Sequence, residues 1–213
     1  MPVAAVDGDT RNPDVSRMFA DSAPVLNANL RIHNGWMDMI DFLVANPSAN
    51  VVVSMPAGIG DVLKKEGRAF LQTAKLLNRR LGMLWVMNRQ ADSVNLLNEA
   101  LAAIGDGLAF KVAVKNLMFG ESDQFYRWEG SETKKRFEKS GGITIDMTEL
   151  HERTVDKLLG NNDTVMPFSK AVMPVSNVSG SPHKLTPSEN MELVTWLQEN
   201  HSAYETHVAS LLA

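Results

Sequence analysis

The fold is decided by VVVSMPAGIGD, residues 51–61. Residues 51–53 are β-branched and apolar in an unbroken run, so they predict a strand that is buried on both faces by helices. The proline and glycines that follow predict a turn. A helical pattern over Asp61–Leu81 comes next. Strand, turn and helix in this order predict a βα unit.

The same pattern recurs along the chain, which predicts an α/β fold with a mostly parallel, doubly wound sheet and flanking helices. The predicted strands are Val3–Val6, Val51–Val53, Met83–Met87, Phe110–Val114 and Ile143–Ile145. The predicted helices are Gly35–Ala45, Asp61–Leu81, Asp92–Ile104, Ser131–Lys139 and Leu150–Leu159.

Three segments are predicted. Residues 1–160 hold the α/β pattern, and residues 161–185 are rich in Asn, Ser, Pro and Gly, which indicates a linker or a loop wrapped over the domain. Residues 186–213 predict a C-terminal amphipathic helix, because T-P-S-E at Thr186 is a capping box with proline at the first helical position. This helix either packs on its own domain or offers its apolar stripe to a partner. The stripe comprises Met191, Val194, Leu197, Tyr204, Val208 and Leu211.

Composition excludes several classes of protein. The chain of 213 residues has no cysteine, which excludes disulfide scaffolds, thiolate nucleophiles and Cys-type zinc or iron–sulfur sites. A net charge of -4 excludes a globally basic nucleic-acid binder. The first residues lack the pattern of a secretory signal, so we expect a cytoplasmic protein. The uncharged stretch Phe42–Gly60 contains turn residues, so no membrane span is expected.

Polar residues follow four of the predicted strands, at the sheet edge where ligands of open parallel sheets bind. Each segment by itself is also an ordinary turn or helix cap. Asp7-Gly8-Asp9 and Ser54–Asp61 follow the first two strands, Asn88-Arg89-Gln90 the third and Lys115-Asn116 the fourth.

On these segments the chain resembles the ParA/MinD-type deviant-Walker P-loop ATPases, and within them the branch of plasmid stability, partition and conjugative mobilisation. VAAVDGDTRNPDVSRMF is similar to the family's second strand and switch I, and VVVSMPAGIGD to its Walker B and switch II segment. Later strands are matched by LGMLWVMNRQADSVNLL, FKVAVKNLMFGE and GGITIDMTELHERTVDKL. The resemblance covers residues 3–160 and implies a P-loop NTPase-like fold.

The resemblance also implies a set of site residues, with ATP and Mg²⁺ as cofactors. Asp9 would be the catalytic carboxylate that positions the attacking water, and Asp7 would lie beside the nucleotide and the magnesium ion. Ser54 would occupy the Walker B metal position. Gly58 would sense the γ-phosphate, and Asn116 would contact adenine. In such a family ATP drives a homodimer that recruits a protein partner or DNA.

Two departures from the family bear on catalysis. The sequence has no G-x-x-x-x-G-K-[ST] loop, because the family's first strand and P-loop would precede Val3. Ser54 also stands where the family has a carboxylate. Either the natural protein is longer than this chain, or the chain is a degenerate ATPase that kept the scaffold.

Whether the chain is an enzyme therefore stays open, and we expect negligible ATP hydrolysis from it as it stands. The alternative function is a non-catalytic interaction module for a partition or relaxosome partner. The predicted helix Asp61–Leu81 carries a cluster of basic residues, which forms either a solvated face or a weak or indirect contact with DNA. The cluster comprises Lys64, Lys65, Arg68, Lys75, Arg79 and Arg80.

Overall fold

Six parallel strands form two three-stranded sheets in the computed structural model, which describes residues 2–160, 165–172 and 185–209. The strands are β1 (Val3–Asp7), β2 (Val25–Asn27), β3 (Asn50–Ser54), β4 (Gly82–Met87), β5 (Phe110–Asn116) and β6 (Ile143–Met147). The helices are α1 (Asp14–Phe19), α2 (His33–Ala45), α3 (Gly60–Leu76), α4 (Ala91–Ile104), α5 (Tyr126–Glu129), α6 (Glu132–Lys139), α7 (Glu152–Leu159), α8 (Phe168–Ala171) and α9 (Pro187–Tyr204).

The chain divides into two units, each built on one sheet. The first unit contains the residues up to Leu77 together with Glu152–Met191, and the second contains Asn78–His151 and the residues from Glu192 onward. Parallel strands, helical crossovers and a C-terminal helix confirm the predicted α/β class, and the two sheets are compatible with a P-loop-like fold. None of the helices in the described ranges is both long and apolar enough to span a bilayer.

In the first unit β1 is the central strand, with the order β2-β1-β3. Its register with β3 runs from Val3 opposite Asn50 to Asp7 opposite Ser54. The helices α2 and α3 both contribute to the apolar core, where the rings of Trp36 and Phe70 meet edge to face with centroids 5.6 Å apart. Such aromatic pairs stabilise a core beyond the area that they bury.

A buried carboxylate joins α2 to α3. Glu66 of α3 is buried, and its Oε2 lies 2.9 Å from Nδ1 of His33, the first residue of α2. Lys65 Nζ lies 3.7 Å from the other carboxylate oxygen. Because a buried charge is tolerated when it is paired and hydrogen-bonded, this arrangement accounts for a glutamate inside the core.

In the second unit both faces of the sheet have packing partners, although Leu84 and Val86 of β4 remain exposed. One face packs on α4, α5 and α6, through residues that include Trp128 and Phe137. The opposite face packs on the chain after α9, where the fully buried Val208 contacts Val112 and Val114. The indole N–H of Trp196 donates to the Thr148 carbonyl at 2.7 Å. The C-terminal segment therefore packs on the second unit, which corresponds to the first of the two alternatives stated for it.

Five of the six strands were predicted, and the strand β2 and the short helices α1, α5 and α8 were missed. The prediction that residues 51–53 are buried on both faces is wrong, because Val52 is 61% exposed. The reason is that β3 bonds to β1 on one side and to no strand on the other within the described residues. The helix predicted over Asp61–Leu81 ends at Leu76, two residues before Asn78, whose φ of 53° is left-handed and incompatible with a continuing helix.

The C-terminal helix differs from its prediction in two respects. Met191, predicted in the apolar stripe, is 62% exposed, whereas Leu193 is fully buried. The helix changes to a π-helical turn over Glu205–Ala209. Most of the predicted segment 161–185 and the last stripe residue, Leu211, lie outside the described residues.

The start of α9 is fixed by the buried carboxylate of Glu189. It accepts hydrogen bonds from the Thr186 backbone N–H at 2.6 Å and from Lys157 Nζ at 2.7 and 2.8 Å, and Arg153 Nε lies 2.6 Å away. The Glu189 N–H contacts the Thr186 hydroxyl at 3.4 Å, which completes the predicted capping box. Burial by itself would raise the pKa of Glu189, but the bonds to Lys157 and Thr186 and the charge of Arg153 outweigh it and lower the pKa to about 2.

We expect Glu189→Gln to destabilise the protein at pH 7 by about 1–3 kcal/mol, because Lys157 loses its charged partner. Since the folded pKa is lower than the unfolded one, this stabilisation is complete above about pH 4.5 and is lost as the pH falls towards about 2. Denaturant unfolding at pH 7 and pH 3 measures it. Glu199→Gln, on an exposed position of the same helix, is the control; equal losses for both variants would contradict the assignment.

Candidate functional site

The sequence-predicted site residues of the first unit lie where its three strands end together. Asp7 is opposite both Asn27 of β2 and Ser54 of β3, so the chain leaves all three strands at one level. Because the strands are parallel, the loops that follow lie at the same edge of the sheet, where ligands of open α/β sheets bind. These loops are residues 8–13, 28–32 and 55–59.

Asp7 holds the first loop in place. Its side chain is 1% exposed, and its two carboxylate oxygens accept hydrogen bonds from the backbone N–H of Asp9 at 3.3 Å and of Ser16 at 2.8 Å. The residue thus ties the end of β1 to the start of α1. Both oxygens of this buried acid are used by the protein itself.

Asp9 is engaged by an arginine from the second loop. One of its oxygens accepts a hydrogen bond from the Arg11 N–H at 3.2 Å, and the other lies 3.4 Å from Arg31 Nη2. Arg31 Nη1 donates to the Ala57 carbonyl in the third loop at 2.7 Å. Arg31 therefore joins all three loops, and its buried Nε has no hydrogen-bond partner among the described residues.

Gly8 and Ser54 bring the first and third loops into close contact. The Gly8 N–H donates to the Ser54 carbonyl at 2.9 Å. A Cβ atom at Gly8 would lie 2.5 Å from that carbonyl oxygen and 2.7 Å from Leu30 Cδ1, so only glycine fits.

The third loop, in contrast, is open around its glycines. Gly58 has a φ of +70°, in the left-handed region that favours glycine, and a Cβ at Gly58 or at Gly60 would meet nothing within 4 Å. Helix α3 begins at Gly60 and its N-cap residue Ile59 makes no side-chain capping bond. The backbone at this turn is therefore accessible.

The residues that the structure describes do not fit a magnesium ion. Mg²⁺ requires carboxylate and other oxygen ligands in a near-octahedral arrangement. The Asp7 oxygens already accept two backbone N–H groups, and Asp9 faces a guanidinium. Ser54 offers no charge, and no group of three His, Asp or Glu side chains within the described ranges is arranged to hold a metal ion.

Asn116 belongs to the second unit, at the end of β5. Its side-chain oxygen accepts a hydrogen bond from the Met118 N–H at 3.1 Å, so it begins the turn after the strand. The preceding residue, Lys115, is buried, and its Nζ lies 3.0 Å from Asp146 and 3.5 Å from Glu129. Burial by itself would raise the pKa of Glu129. The hydrogen bond to Lys134 and the nearby charge of Lys115 outweigh burial, so the pKa is lowered. The side-chain oxygen of Asn116, on the edge predicted to contact adenine, thus accepts one hydrogen bond from the turn.

Sequence reasoning missed Arg31, the residue that connects the three loops. The strand before its loop, β2, has three residues and follows Pro24, so no apolar run marks it. The contact with Asp9 spans 22 residues and depends on strand order. The sequence signal that could have identified Arg31 is a basic residue in a short turn before a helix.

Comparison with known proteins gives one informative likeness. The chain is 29% identical over 175 residues to Protein MobD of Acidithiobacillus ferrooxidans, an alignment that covers 82% of this chain and 76% of that protein. No family model matches the chain. No solved structure matches it either.

We expect Gly8→Ala to destabilise the protein by about 1–3 kcal/mol, because the new methyl group must displace the Ser54 carbonyl or Leu30. Gly60→Ala is the matched control, since the added methyl group enters open space and alanine favours helix. Thermal unfolding of both variants measures the difference. A Gly8→Ala protein as stable as Gly60→Ala would show that the two loops are not tightly apposed.

Proposed function

We propose that this chain is a protein of plasmid mobilisation, in which a ParA/MinD-like scaffold acts in the cytoplasm as a binding module and not as an ATPase. The likeness to Protein MobD, a mobilisation-related protein, supports the first part. Its partner would be a protein of the transfer machinery, with DNA bound weakly or through that partner.

The observation that carries the non-catalytic part is the engagement of both aspartates by the protein's own donors. A carboxylate that positions water must direct one of its acceptor lone pairs at that water. Both Asp7 oxygens accept backbone N–H groups, and Asp9 faces Arg11 N–H and the Arg31 guanidinium.

A second candidate is a nucleotide-controlled homodimer of the ParA/MinD kind, serving partition or stability. The open backbone at Gly58 and Gly60 favours it, because glycine N–H groups at a helix start can approach a phosphate. In this case ATP and magnesium would require ligands beyond the residues described. Nucleotide binding would then raise the melting temperature, since a ligand that binds only the folded protein stabilises it.

The mobilisation role is tested in the source cells. Deletion of the gene should lower the transfer frequency of a mobilisable plasmid that depends on it by at least about tenfold, and the intact gene supplied in trans should restore it. A gene carrying Asp9→Ala should restore transfer as well as the wild type, because the proposed module needs no catalytic aspartate. Unchanged transfer after deletion would contradict the role in mobilisation.

ATP hydrolysis by the purified chain should not rise above the rate of a buffer control. Asp9→Ala should leave this rate unchanged, as should Asp14→Ala, a control in the same region whose carboxylate pairs with Arg17. Release of inorganic phosphate measures all three proteins. Turnover that Asp9→Ala abolishes and Asp14→Ala does not would contradict the non-catalytic proposal.

A further inference from the structure

Helices α2 and α3 of the first unit run side by side in the same direction. His33, the first residue of α2, contacts Glu66 of α3, and one turn later Trp36 contacts Phe70. Because the two contacts advance together along both helices, the helices are parallel. A residue of α2 therefore lies level with the residue about 33 or 34 positions later in α3.

The outer sides of these helices carry opposite charges that are matched in height. Helix α2 exposes Asp38 and Asp41, and helix α3 exposes Arg68 and Lys75. Asp41 lies level with Lys75, and Asp38 lies at a height between Arg68 and Lys75. None of the four side chains forms a hydrogen bond or an ion pair with another residue of the described ranges. Both rows of charge are therefore available to a second molecule.

Two large apolar side chains lie exposed at one end of these rows. Leu76, the last residue of α3, is 86% exposed, and Val44, one turn beyond Asp41, is 55% exposed. The correspondence between the helices places both at nearly the same height. An apolar contact with charges around it is the usual composition of a protein interface. We call this surface the α2–α3 face, which comprises Asp38, Asp41, Val44, Arg68, Lys75 and Leu76.

The α2–α3 face is complementary to itself. A two-fold axis that runs parallel to both helices lays α2 of one copy over α3 of the other at the same height. Asp41 then faces the partner's Lys75, and Asp38 lies between the partner's Arg68 and Lys75. Duplex DNA or an acidic peptide would match only the basic row, and its own negative charge would lie beside the aspartates. A second copy of this chain is the partner that satisfies both rows.

We propose that two copies of this chain associate through the α2–α3 face, with α2 of each copy packed on α3 of the other. Exposed ion pairs are weak by themselves, so the contact of Val44 with the partner's Leu76 supplies affinity, and the charges fix the orientation. This contact goes beyond the proposed function. It uses none of the strand-end loops and needs no nucleotide, so it differs from the nucleotide-controlled dimer considered above.

Sedimentation velocity of the whole chain without nucleotide, over a range of concentrations, tests the proposal, and a reversible dimer is expected. One variant carries Asp38→Lys and Asp41→Lys, and a second carries Arg68→Glu and Lys75→Glu. Each should weaken dimerisation at least about tenfold, because like charges then face each other at both contacts. The exposed positions keep the substitutions out of the core, and thermal unfolding verifies that both variants are folded.

An equimolar mixture of the two double variants gives the most specific result. In a mixed dimer one contact has lysines opposite glutamates and the other keeps the natural charges, so the dimer should return although neither variant dimerises alone. Leu76→Ala should weaken the natural dimer at least about fivefold, because it removes apolar contact. Asp106→Lys with Asp123→Lys makes the same change of charge on the second unit and is the control, which should leave the dimer unchanged.

A natural chain that stays monomeric overturns the proposal, and so does a mixture of the double variants that stays monomeric. A dimer that forms only with ATP and magnesium also overturns it and supports the nucleotide-controlled dimer. A monomer whose binding to duplex DNA is abolished by Arg68→Glu with Lys75→Glu would assign the basic row to nucleic acid instead. If one double variant fails to fold, the other variant and Leu76→Ala still decide.

Discussion

The geometry of the candidate site depends on the parallel pairing of β1 with β3. Five consecutive residue pairs bring Asp7 opposite Ser54, and the Gly8 N–H then donates to the Ser54 carbonyl. Since parallel strands share one direction, this single register decides that the loops after both strands meet at one edge. A slip of one residue would turn the Asp7 side chain to the other face of the sheet. The absence of a side chain at Gly8 is what permits the approach.

Asp7 and Asp9 at this edge form a sequence pattern that is typical of a catalytic pair but also of structural carboxylates. Asp-x-Asp at a strand end resembles a catalytic pair, but a buried acid whose oxygens accept backbone N–H groups is a structural element. Asp7 behaves in the second way, through Asp9 N–H and Ser16 N–H. Asp7 therefore fixes the backbone of the first loop, and this role requires no bound metal ion.

The sequence predicted the parts of the fold that local pattern controls. The apolar run, proline, glycines and helical spacing of residues 51–61 correspond to β3, the open turn and α3, and the capping box at Thr186 was recognised from four residues. Contacts between distant residues could not be predicted. β2 is too short to show a period, and the partnership of Arg31 with Asp9 exists only because β2 lies beside β1.

The exposure of apolar side chains on the edge strands could not be predicted from the local sequence pattern either. β3 presents Val52 and β4 presents Leu84 and Val86 to solvent, and neither strand contains a charged residue or a proline. Natural edge strands usually carry such residues, which block pairing with another chain. Among the described residues, β3 and β4 each pair with one strand only, so each leaves a row of backbone groups on its other side. A row of this kind favours the addition of one more extended segment of polypeptide.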